Sequence, residues 1–237
     1  TAVVMPVLLG SRADIDDLTS QLERHYLGNP DPRLRFALLT DFPDADAATL
    51  PGEADLLEHA RRRVRALNVK HGSAEPRIHA GNGVAPAGPF YLLHRGRRWN
   101  PREGVWMGWE RKRGKLMELN RLLRGATDTT YEVTVGDMGR LADVEFVLTL
   151  DADTRLPPGS AHRLVGTLAH PLNRAEFGPD DRVSAGYSLL QPRTDVLPES
   201  ANASRFSRLF VGENGLDLHT LAVSDVYQDV FGAAMFV

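Results

Sequence analysis

Two short apolar runs open the chain, over residues 2–9 and 34–40, and each is closed by turn-forming residues. Gly10-Ser11 follows the first and Asp41-Phe42-Pro43-Asp44 the second. A strand buried on both faces of a sheet reads this way. Between them Ile15, Leu18, Leu22 and Tyr26 recur every three or four residues, which predicts an amphipathic helix over 12–27, stopped by Gly28-Asn29-Pro30. Leu56, Leu57, Ala60, Val64 and Leu67 predict a second helix over 53–69. Alternating strand and helix is the signature of a parallel sheet covered by helices. The alternation breaks at a loop rich in Gly, Pro and Ala over 72–89 and resumes with a strand over 90–94. Beyond it the pattern predicts a helix over 115–123 ended by Gly125, strands over 131–135 and 145–150, and a helix over 161–168. A strand over 183–191 and helix-rich sequence follow. The expectation is one α/β domain over 1–237, a mostly parallel sheet of about six or seven strands flanked by helices.

Composition narrows the function classes. The chain has 237 residues, 42% hydrophobic and 25% charged, as ordinary soluble domains do. A net charge of -3 argues against general binding to nucleic acid or anionic membrane, so no nucleic-acid partner is expected. With no cysteine, disulfides, thiolate metal sites and a cysteine nucleophile are excluded. No apolar run approaches the about 20 residues of a membrane helix. The first residues lack the basic region and cleavage site of a signal peptide. A strand starts at once and residues 231–237 are apolar, which leads us to expect a piece of a longer chain, its sheet truncated on the C-terminal side.

The sharpest chemical signal is Phe146-Val147-Leu148-Thr149-Leu150-Asp151-Ala152-Asp153-Thr154. An apolar strand expected to be buried delivers two carboxylates, at i and i+2, to its carboxyl edge, where ligands bind in open α/β sheets. Asp151 and Asp153 are therefore candidate ligands for Mg²⁺ or Mn²⁺, which take oxygen donors and typically pair one or two carboxylates with substrate phosphates. The same residues could merely punctuate a turn before Pro157. A phosphatase of the haloacid-dehalogenase type, with Asp151 as nucleophile, also places Asp-x-Asp after a strand. Here, however, Arg155 stands where that motif has Thr or Val. Asp41, ending the second strand, could accept hydrogen bonds from a base or ribose. Residues 95–115 carry eight Lys or Arg against Glu103 and Glu110, locally +6, with Trp99, Trp106 and Trp109 interleaved. Such a stretch could hold a diphosphate, and sugars stack on tryptophan faces.

Long stretches resemble a known family. Leu148-Thr149-Leu150-Asp151-Ala152-Asp153-Thr154-Arg155-Leu156-Pro157, His170-Pro171-Leu172-Asn173-Arg174 and Leu190-Gln191-Pro192-Arg193 look like the glycosyltransferase domain of cyclic β-1,2-glucan synthases, glycosyltransferase family 84. Trp99-Asn100-Pro101, the run from Gly104 to Lys115, and Ala222-Val223-Ser224-Asp225-Val226-Tyr227-Gln228-Asp229 fit the same family. The resemblance implies a GT-A-type, Rossmann-like fold, a UDP-glucose donor, a β-1,2-glucan acceptor and inverting, metal-assisted transfer. It also implies a large membrane protein of the bacterial inner membrane, with this part on the cytoplasmic face. Asp41, Lys115, Asp151 and Asp153 would then hold the donor, the last two with Mg²⁺ or Mn²⁺. Gln191, Arg193, Trp106 and Trp109 would lie on the acceptor side. No residue of the chain is assigned as catalytic base. Pro6-Val7 stands where the family has Pro-Thr, so a hydroxyl is missing there. A domain that binds nucleotide-sugar or scaffolds without catalysis is the non-enzymatic alternative.

Overall fold

A computed structural model describes residues 1–72, 88–180 and 182–192. The chain divides into two compact units, Thr1–Thr167 and Leu168–Val237. In the first, β1 (Ala2–Leu8), α1 (Arg12–Gly28), β2 (Arg35–Asp41), α2 (Glu53–His71) and β3 (Phe90–Arg95) follow the expected alternation. A two-stranded ribbon comes next, β4 (Arg98–Asn100) and β5 (Val105–Met107), then α3 (Arg111–Leu123), β6 (Tyr131–Val135), β7 (Val147–Thr149) and α4 (Ser160–Leu168). The sheet runs β6-β3-β2-β1-β7. β7, β1, β2 and β3 are parallel, and β6 is antiparallel at one edge.

Pleating turns alternate residues of each strand to opposite faces, and both faces are covered. Val3, Met5, Phe36, Leu38, Phe90 and Leu92 pack with Ile15, Leu18 and Leu22 of α1 and Ala60, Val64 and Leu67 of α2. Val4, Ala37, Leu39, Tyr91 and Leu93 pack with Leu119 of α3 and Leu141. Register pairs Leu8 with Asp41 and Thr40 with His94, so β1, β2 and β3 end level at the carboxyl edge, while β7 stops opposite Val4, within β1.

Three expectations change. The run over 145–150 forms only β7, and it is the edge strand rather than a buried one: Val147 and Thr149 are exposed while Leu148 packs on the core. Apolar residues look alike on an edge and at a sheet's centre, so the run could not tell the two apart. The sheet among the described residues has five strands. The strand expected over 183–191 belongs instead to the second unit, where β9 (Val183–Ala185) pairs antiparallel with β8 (Glu176–Phe177), all of it exposed. Most of the loop over 72–89, Arg193 and the motif at 222–229 lie outside the described residues.

Candidate functional site

The chain passes from β1 outward to β2 and β3, then returns to β7 on the other side of β1. Connections leave in opposite directions between β1 and β7, and there an α/β sheet opens a crevice beyond its strand ends. A cleft of about 810 Å³ is found there. Pro6, Val7 and Leu8 of β1 form its floor, with Asp14 and Asp17 of α1 on one wall. Arg111, Lys112 and Lys115 of α3 line the other, and Ala152, between the two candidate carboxylates, reaches its rim.

A buried ion network backs the α3 wall. Arg95, the first charged residue after β3's apolar run, has no exposed side-chain surface and donates to both Asp41 oxygens at 2.8 Å. It also donates to Glu118 at 2.9 Å. Lys115 donates to the Val7 carbonyl at 2.7 Å and lies 3.2 Å from Asp41. Glu118 accepts from the Thr130 amide and hydroxyl, at 3.0 and 2.6 Å. Burial pushes Lys115 down to about 8 against the pull of Asp41, so at neutral pH it keeps its charge at the cleft wall. Burial likewise pushes the Tyr131 phenol up, and its hydroxyl donates to the Lys115 carbonyl at 2.8 Å.

The same guanidinium shapes the turn that starts α3. Glu110 and Arg111 have φ of 51° and 46°, a left-handed conformation that costs energy in residues with a side chain. Arg95 donates to the carbonyls of Trp109 at 3.1 Å and Arg111 at 3.0 Å, which holds the turn closed. A Cβ on Gly108 would stand 2.6 Å from the Asp41 carboxylate, so only glycine lets the backbone pass this close. The turn brings Lys112 to Asp151, and the two form an ion pair that is about half exposed.

The segment that carries Asp151 and Asp153 is fixed by the C-terminal half of α1. Gln21 donates to the Thr154 carbonyl at 3.1 Å, and the Leu156 amide donates to His25 at 3.4 Å. The Ala161 amide donates to Asn29 at 3.0 Å. Leu156 is buried in the core, while Asp151 and Asp153 are exposed.

Sequence reasoning and structure meet unevenly here. Asp41 and Lys115 line one cleft, Ala152 reaches its rim between Asp151 and Asp153, and Asp151 pairs with Lys112 of the cleft wall. Asp41 is 2% exposed; Oδ1 accepts from Arg95, and Oδ2 faces both Arg95 and Lys115, so only Oδ1 keeps a lone pair to spare. Trp106 and Trp109 are not among the residues that line the cleft. Trp106 pairs its backbone with Ala45 and meets Trp99 at a tilt of 54°, ring centroids 5.9 Å apart, and Trp109 is 43% exposed. Gln191 is exposed in the second unit. The +6 stretch is not an open patch. Arg95 is buried against Asp41 and Glu118, Arg97 against Glu53, and Arg111 pairs with Asp44 and Glu103. Most of those partners are remote in sequence, which a local charge count cannot see. Arg95 and Lys112 stand in the sequence only as members of the basic stretch expected to hold a diphosphate, and Glu118, Asp14 and Asp17 carry no sequence signal of a site. Arg95 carried one usable signal, since like Asp41 and Asp151 it is a charged residue at the end of an apolar strand.

No family model matches the chain. Over its whole length it is 44% identical to part of the cyclic beta-(1,2)-glucan synthase NdvB of Rhizobium meliloti (strain 1021). The chain is homologous to a segment of that synthase. It spans 8% of the synthase's length. The resemblance seen in separate motifs thus extends over the whole chain, including the α3 turn and the segment after β7. No helix among the described residues is long and apolar enough to cross a membrane.

Proposed function

We propose that the cleft binds UDP-glucose and that the chain is the donor-binding part of a β-1,2-glucan synthase, a metal-assisted, inverting glucosyltransferase. One observation carries the reading. At the β1/β7 crevice Lys112 and Lys115 of α3 line one wall, Lys112 pairs with Asp151, and Ala152, between Asp151 and Asp153, reaches the rim. The homology to a glucan synthase supports it independently.

The residues fit a Mg²⁺ or Mn²⁺ ion. Asp151 and Asp153 are exposed carboxylates on either side of Ala152, which reaches the rim. An open, all-oxygen donor pair suits a hard cation that completes its shell with substrate phosphates. When bound, the ion would neutralise charge on the leaving diphosphate. The chain's own residues do the rest. Pro6, Leu8 and Phe42 give the nucleoside an apolar seat beside Asp41, and Lys115, held by Val7 and Asp41, directs a fixed positive charge at the phosphates. Trp106, Trp109, Gln191 and Arg193 would be the residues that meet the glucan acceptor. The parent would be a larger membrane protein with this part on the cytoplasmic face of the bacterial inner membrane.

Asp153→Ala removes an exposed carboxylate that no core contact needs. Calorimetry should show metal-dependent UDP binding abolished and thermal unfolding unchanged. UDP binding that kept its metal dependence would sink the assignment.

A further inference from the structure

We propose that Lys112 is a counter-ion switch, which pairs with Asp151 while the cleft is empty and transfers to the donor's diphosphate when a divalent cation takes its place. The proposal rests on the donor-site reading above, in which Lys112 is one of the wall cations, and gives that cation a definite role.

Lys112 sits in the first turn of α3, next to Arg111 and Arg113, and that turn holds no acidic residue. A helix N-terminus carries partial positive charge, so cations there need anions, and Arg111 has Asp44 and Glu103 while Arg113 has Glu110. Lys112 has Asp151. Lys112 and Lys115 are three residues apart, hence on one helix face, and both line the cleft. Their surroundings differ. Lys115 is buried and held by the Val7 carbonyl and Asp41, whereas the Lys112 and Asp151 side chains are 54% and 56% exposed and free to part. An ammonium against Asp151 also repels a divalent ion from that carboxylate. Metal and Lys112 therefore compete for Asp151, and a lysine displaced by the metal stays within reach of the phosphates that the metal brings.

The switch predicts effects of opposite sign from one substitution. Lys112→Gln keeps the length of the side chain and removes its charge. Titrated with Mn²⁺ alone and followed by the spin-resonance signal of free Mn²⁺, the variant should bind about two- to fivefold more tightly than the wild-type chain, the scale of an exposed ion pair. Titrated with UDP at saturating Mn²⁺, it should bind roughly tenfold more weakly, the scale of one charge-assisted hydrogen bond. A merely structural role would not tighten metal binding. Equal Mn²⁺ affinity in the two proteins overturns the switch and leaves the donor site standing. Absence of Mn²⁺ binding in both, with and without UDP, overturns the switch and the donor-site reading together.

Discussion

At the scale of single residues, Arg95 ties the site together. Its guanidinium satisfies Asp41 and Glu118 and closes the left-handed turn at Trp109 and Arg111, all without exposed surface. A planar fork of five donors suits this task, and a lysine could not make the same set of bonds. Arg95→Met would leave two carboxylates buried without their partner. The expected cost is about 3–5 kcal/mol in urea unfolding, because breaking a buried pair strands the remaining charge. A variant as stable as wild type would contradict the role given to Arg95.

At the scale of elements, the alternation that predicted β1, α1, β2, α2 and β3 is observed to within about two residues at each end. Those segments have strong periodicity and their own stop signals, such as Gly28-Asn29-Pro30. Where pairing decides the structure, the sequence was mute. The β4–β5 ribbon, three residues a side, shows no period, and its place is set by Trp106 bonding back to Ala45. α3 begins four residues earlier than its leucine pattern, at Arg111 rather than Lys115, because Arg95 folds the preceding turn. Asp151 and Asp153 were legible as a pair at the end of an apolar run. Nothing local showed that Gln21, His25 and Asn29, more than a hundred residues away, hold the segment around them.

At the scale of the molecule, burial couples stability to pH. His94, hydrogen-bonded to Thr40 at 2.9 Å, is pushed by burial from 6.5 down to about 4, with Asp41 and Glu53 opposing the shift and Lys115 and Arg97 adding to it. Between those values the unfolded chain binds a proton that the folded chain refuses. His94 therefore supports the fold fully above pH 6.5, and that support drains away as pH falls toward 4. Urea unfolding across this window should give a shallower pH slope for His94→Asn than for wild type, and an identical slope would contradict the assignment. Proton linkage and the cleft share one network, since Asp41 and Lys115 face His94 as well as the crevice. The central claim is that this crevice holds a nucleoside diphosphate through a divalent ion. Calorimetric titration of UDP into the 237-residue chain, with and without Mn²⁺, tests it most directly. The account predicts saturable binding in Mn²⁺ that is lost when the metal is chelated, and UDP binding that is absent in both titrations, or equal in both, would contradict it.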